Sequence, residues 1–144
     1  MPVIHFHLPK GSFEPAKISR LVVEASTLYA ETLACPIDRV RAMAHLVDPD
    51  CMAVGGRLIS EGGLAAPCFE FLVLEGRPLG ECRRLLSGFT RLVVDVLGAD
   101  ASTVRGACWP IAPEHWGIAG LPASQVRQDE IRSRLHAAMP HPDA

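Results

Sequence analysis

Two hydrophobic rhythms follow one another along this chain, and the pair occurs twice. Residues 3–8 put Ile4, Phe6 and Leu8 on one side and Val3, His5 and His7 on the other, the two-residue period of a half-buried strand. Gly11-Ser12 ends that pattern. Ser12 or the residues just after it suit a helix cap, and Pro15 suits a first helical turn. Ile18, Leu21, Val22, Ala25, Leu28, Tyr29 and Leu33 then recur at helical spacing, which predicts a helix to about Ala34. Val40 to Val47 predicts a second strand. Asp48-Pro49-Asp50 begins a turn, and Gly55-Gly56 marks a flexible bend.

The same order returns. Phe69, Phe71 and Val73 share one face of a strand. Arg77-Pro78 opens a helix carrying Leu79, Cys82, Leu85, Leu86, Phe89, Val93, Val96 and Leu97, and Gly98 closes it. Val104 to Ile111 is the matching strand. A last helix over about Ala123 to Ala138 leads to a frayed Pro140-His141-Pro142 tail.

The recurrence extends to identities. A shift of 65 lays Pro2 on Pro67, Phe6 on Phe71 and Gly11 on Gly76. After a single deletion, a shift of 64 lays Arg20 on Arg84, Leu28 on Leu92, Arg41 on Arg105, Pro49 on Pro113 and Gly56 on Gly120. Two copies are too few for a solenoid. The expectation is a single domain, 1–144, made of two half-domains of about 2–60 and 67–124 sharing one core, with a C-terminal helical tail. Each half reads β-α-β, so its strands should be parallel and joined by a right-handed crossover. Two such units side by side predict an α+β, two-layer fold: a four-stranded sheet with both helices on one face. No third layer is available to cover the other face, which predicts oligomerisation through it.

Composition narrows the partners. The chain has 144 residues, 49% hydrophobic, with a formal net charge of −2, which suits a globular domain with a substantial core. Near-neutral charge and the lack of a basic stripe argue against nucleic acid. The start lacks the order of a signal peptide, and no apolar run is long enough to cross a bilayer. The expectation is a cytoplasmic protein without a membrane partner. Five scattered cysteines, never paired as CxxC, read as reduced thiols. His5 and His7 share a face but no third ligand stands at convincing spacing, so no metal is expected. Nothing resembles a phosphate loop, and no cofactor is implied.

One position carries unusual chemistry. Removal of Met1 would leave Pro2 with a secondary amine, a base that no side chain can supply. Pro67, its counterpart, lies inside the chain with an amide nitrogen, so one such site per chain is expected.

Taken together, Pro2, Gly76-Arg77, the repeated Val40-Arg41 and Val104-Arg105, and Trp116 before the bend ending at Gly120 resemble the tautomerase superfamily, in particular its fused 4-oxalocrotonate tautomerase-like members. The resemblance covers roughly residues 2–60 and 67–130. It implies a homotrimer of fused two-unit chains, equivalent to the hexamers of single-unit members. It also implies a tautomerase acting on a small 2-oxo or enol carboxylic acid, with Pro2 as general base and acid. Arg77 would hold the substrate carboxylate from the half opposite Pro2. Arg41 or Arg105 would polarise a substrate oxygen or carboxylate, often from a neighbouring chain, and either one is open. Trp116 and Met52, equivalent in the two copies, would line an apolar wall. Tyr29 falls where hydratase-like relatives carry a polar group, with core packing as the competing reading.

Other outcomes within the resemblance stay open. Asp38-Arg39 and Arg77-Pro78 resemble malonate semialdehyde decarboxylase, where an aspartate assists the amine, although Leu79 stands at that enzyme's second arginine. Decarboxylation or hydration of a small 3-oxo acid through Asp38 is therefore the alternative reaction. Dehalogenase relatives fit less well, because Val54 and Ile118 hold the expected glutamate positions and Leu74 that of an arginine. Ser12, standing where the second copy has Arg77, also permits a non-catalytic carboxylate-binding trimer.

Overall fold

In the computed structural model, which describes residues 2–139, the first strand is β1 (Val3–Pro9), followed by α1 (Pro15–Leu33) and β2 (Arg41–Val47). A small hairpin comes next, β3 (Ala53–Val54) and β4 (Arg57–Leu58). The second half runs through β5 (Cys68–Leu74), α2 (Leu79–Leu97), β6 (Arg105–Ile111) and the hairpin β7 (Gly117–Ile118) and β8 (Leu121–Pro122). Two helices follow, α3 (Ala123–Val126) and α4 (Gln128–Ala138). Met1 and the Pro140-His141-Pro142 tail lie outside the described residues.

The duplication persists in three dimensions. α1 and α2 each have 19 residues, and their ends differ by the same shift of 64 as the sequence. Corresponding hairpins close with corresponding bonds, Ile59 N–H to the Met52 carbonyl at 3.0 Å and Ala123 N–H to the Trp116 carbonyl at 2.8 Å. Five residues separate β1 from α1 and four separate β5 from α2, which locates the deletion in the strand-to-helix connection.

The strand order is β2-β1-β5-β6. Each half contributes a parallel pair, and the halves meet in the antiparallel pair β1–β5. The expected fold is therefore the observed one. Strands β2 and β6 begin one residue later than expected, because Val40 and Val104 end short 3-10 turns, Ile37–Arg39 and Ala101–Thr103. The last helix differs more. It is broken at Arg127 (φ −115°, ψ 24°), although no Gly or Pro stands there. The Arg127 amide still reaches the Ala123 carbonyl at 2.8 Å and its carbonyl accepts from Ile131 at 3.0 Å, so the chain changes direction while keeping its turn-to-turn bonds.

Ile4, Phe6 and Leu8 from β1 and Phe69, Phe71 and Val73 from β5 pack under Leu21, Ala25 and Tyr29 of α1 and Leu85, Phe89 and Val93 of α2. Phe89 is central, with ring centroids 5.2 to 6.2 Å from Phe71, Tyr29, Phe69 and Phe6, mostly edge to face. The helices approach closely at Gly88, where a Cβ would sit 2.7 Å from Leu28 Cδ2. On the opposite face of the sheet, no helix among the described residues covers the strands. His5 Nδ1 lies 2.7 Å from His45 Nε2, and the His45 ring also stacks on His7. Glu70 accepts from Trp109 Nε1 at 3.2 Å. Burial and the neighbouring His45 push the His5 pKa down.

Candidate active site

The antiparallel seam decides which residues meet. Val3 pairs with Leu72 and His7 with Cys68, so the start of β1 lies beside the end of β5. Pro2 leads into β1 at that end, and Gly76-Arg77 leaves β5 from it. By the same register Pro67 and Ser12 are sent to the other end.

Pro2 is buried, with its carbonyl accepting from the Arg41 amide at 2.9 Å. Around it, one enclosed pocket is lined by Leu72, Val73, Leu74 and Arg77 from the second half and by Leu33, Cys35 and Arg39 from the first. Arg127, Glu130 and Arg134 close it from the C-terminal arm. The free space is about 20 Å³, on the order of one water.

Arg77 is held in place. Its side chain is 12% accessible, and Nη1 donates to Glu81 Oε2 at 3.0 Å and to the Leu33 carbonyl at 3.3 Å. Glu130 meets three guanidinium groups. Arg39 Nη1 donates to Oε1 at 3.0 Å and Oε2 at 3.2 Å, Arg127 lies at 3.7 Å and Arg134 at 3.8 Å. Four guanidinium groups thus face two carboxylates, Glu81 and Glu130, leaving an excess of two positive charges beside Pro2. Burial and the nearby Arg77 charge lower the Arg134 pKa, with Glu130 opposing. Burial pushes the Cys35 thiol up, so it stays protonated at neutral pH despite the Arg77 charge. The excess positive charge attracts anions and favours the neutral form of any amine enclosed with it.

Of the residues singled out in the sequence, Pro2 and Arg77 are brought together here. Arg41 and Arg105 are not. Each is exposed and folds back on the carbonyls before its own strand, Arg41 on Asp38 and Val40, Arg105 on Ser102 and Val104. Met52 and Arg105 instead line a broader groove of about 530 Å³ around Pro67. Trp116 is half-buried before β7 and is not among the residues that line the Pro2 pocket. Asp38 is exposed and takes no part in the lining. Tyr29 is a core residue. It is fully buried, and its hydroxyl sits on the Leu72 carbonyl and 3.4 Å from that of Val3, behind the pocket. Burial drives its pKa far up, so it remains a donor that ties the two central strands together.

Sequence reasoning missed Cys35, Glu81, Arg127, Glu130 and Arg134, and noticed Arg39 only as the neighbour of Asp38. The helical spacings of Arg77 with Glu81, and of Arg127 and Arg134 with Glu130, were the local signals for them.

A tandem β-α-β chain with one proline-and-arginine pocket per chain is the class that this geometry defines. No family model matches the chain. A probable tautomerase of Ralstonia nicotianae is 31% identical over 62 residues, which is 43% of this chain and 89% of that protein. The 2-hydroxymuconate tautomerase of Comamonas testosteroni is 32% identical over 60 residues, 42% of this chain and 95% of that protein. Each relative therefore has the size of one half. A crystal structure of a native fused 4-OT covers 87% of this chain and 98% of its own, with TM-score 0.80 and 21% identity. A fused 4-OT symmetric trimer gives 0.76 at 24% identity, over 86% and 98% of the two chains. At such identities the likeness is one of fold. The chain belongs to the tautomerase superfamily, as a fused two-unit member.

Proposed function

We propose that this protein is a tautomerase whose base is the amine of Pro2, exposed by removal of Met1. The observation that carries this reading is the meeting of Pro2 with Arg77 in one buried, cation-rich pocket. An α-amino group titrates near ~8 in water. Enclosure with guanidinium groups lowers that value and leaves the lone pair free near neutral pH. A small 2-oxo or enol acid enters with its carboxylate on Arg77. The amine takes a proton from the enol oxygen or the carbon next to the carbonyl, and the ammonium returns it to another atom of the same conjugated framework. Charge that develops on oxygen meets Arg41 or Arg105 of a second copy packed on the uncovered sheet face. A homotrimer formed through that face completes the assembly, a reading supported by the trimers of the fused 4-OT relatives.

The test is intact mass and peptide mapping after 3-bromopropiolate, with ketonisation of phenylenolpyruvate followed in the same sample. Loss of Met1, one adduct on Pro2 and none on Cys35, with activity abolished, is the expected result. Retained Met1 or an unmodified Pro2 without ketonisation overturns the proposal.

A further inference from the structure

α4 closes the Pro2 pocket, and charge holds it there. None of its residues is buried, so little apolar packing fixes it. Its link to the first half is Glu130 on Arg39, a two-oxygen contact from the 3-10 turn after α1. Arg127 and Arg134 reach Glu130 from three residues before and four after, so those contacts travel with the helix. Among the ion pairs of the described residues, the Arg39 contact is the one that breaks when the arm moves.

The arm has to move for an acid to bind. About 20 Å³ of free space admits a water, and a three-carbon carboxylate is several times larger. Opening leaves Arg39 as a cation without its carboxylate, on the pocket wall that Pro2 and Arg77 share. Glu130 is 45% accessible and Arg39 25%, so solvent screens the pair and its release costs little. A second carboxylate arriving in the pocket satisfies Arg39 as Glu130 does, by offering its oxygens to the guanidinium.

We infer that Arg39 is a carboxylate-binding residue of this pocket, masked in the closed state by Glu130, and that α4 is a lid whose latch exchanges the protein's own carboxylate for that of the bound acid. The inference rests on reading the Pro2 pocket as an acid site. It adds a residue and an opening step to that site. In the closed protein the acid competes with Glu130, so its apparent affinity is reduced by the fraction of time that the lid is shut.

Succinate serves as the probe, because binding alone reads the latch without turnover. Titration calorimetry on the full chain compares the native protein with Glu130→Gln, which keeps the shape and removes the charge. Succinate should bind roughly tenfold more tightly to E130Q. Arg39→Gln should bind it more weakly than the native protein. In the R39Q background, adding E130Q should bring less than a twofold gain, since the two residues act as one unit. Thermal melting confirms that each variant is folded, and Glu130→Asp, expected to restore native affinity, serves as the conservative control. Equal affinity in native protein and E130Q, a tenfold gain that survives in R39Q, or no succinate bound by either protein overturns the inference. Absence of ketonisation alongside the expected succinate pattern would overturn the catalytic reading and leave the latch standing.

Discussion

The two ends of the central strand pair began as equivalent places and now hold opposite chemistry. At one end Pro2 stands with Arg77 and Arg39 in a closed pocket. At the other, Pro67 stands with Met52, Ala66 and Thr103 beside a broad open groove. The backbone differs by one residue in the strand-to-helix connection, yet nearly every charge differs. Ser12 replaces Arg77, Thr103 replaces Arg39, and the Pro67 nitrogen is a peptide amide without a lone pair to donate. The path of the chain beyond each hairpin differs too. After β4 the chain becomes a third core strand, whereas after β8 it becomes a charged helix that returns over Pro2. Duplicated topology supplies two sites, and side chains with the onward path of the chain decide which one is furnished.

The comparison breaks most sharply at the prolines. Pro2→Ala should lower kcat/KM for phenylenolpyruvate ketonisation by about 100-fold, the lower range for a displaced general base. Pro67→Ala should leave it within twofold; a loss at Pro67 of the same size would place chemistry at both ends. Next come the junction residues. Arg77→Gln removes a charge-assisted contact of about 1.5–3 kcal/mol, hence roughly 10- to 100-fold in kcat/KM, while Ser12→Ala should change nothing measurable in the same assay.

A smaller effect tests packing rather than charge. Ile4 pairs with Ala42 in the first half, and the corresponding partners in the second are Phe69 and Gly106. A Cβ at Gly106 would fall on the Phe69 ring. Gly106→Ala should therefore destabilise by about 1–3 kcal/mol in chemical unfolding, and Phe69→Ile added to it should recover part of that loss. The smallest effect lies in the turns before β2 and β6. Pro36 begins the first, whereas Asp100 begins the second and accepts from the Ser102 amide at 2.9 Å and hydroxyl at 2.8 Å. Those bonds lower the Asp100 pKa. The carboxylate form then stabilises the fold above the ordinary aspartate value, and that contribution disappears as pH falls through the depressed folded value. Melting curves between about pH 2 and 6 should show Asp100→Ala losing this dependence on the acid side, with Pro36→Ala keeping it.

Periodicity made the fold legible because strands and helices bury one side each. Ile4, Phe6 and Leu8 sit at period two, and Leu21, Ala25 and Tyr29 at helical spacing, as do their counterparts in the second half. Pro2 and Arg77 were legible as residues. Their meeting comes from β1 and β5 running antiparallel, which places the end of one strand beside the start of the other. The C-terminal helix was legible as an element, but its break and its place over the pocket were not. The apolar stripe of α4, Ile131, Leu135 and Ala138, is short and not buried, and the charged face with Glu130 and Arg134 that meets the pocket carries no periodic signal. The break at Arg127 has neither of the residues that usually signal one. Tyr29 fitted the helical stripe and also a polar role, and complete burial settles it as a strand-bracing donor.

The link between the halves, from Ile59 to Pro67, carries a further consequence. Were the halves separate chains, Pro2 and Arg77 would find one another only by a bimolecular encounter, and dilution would pull them apart. The covalent link turns that encounter into an intramolecular one, with an effective concentration on the order of millimolar or above. Their partnership is thereby independent of protein concentration. A contribution from a neighbouring copy, such as a strand arginine, stays subject to mass action. Specific activity measured down a dilution series separates the two: what persists belongs to the tethered pair, and what fades belongs to the assembly.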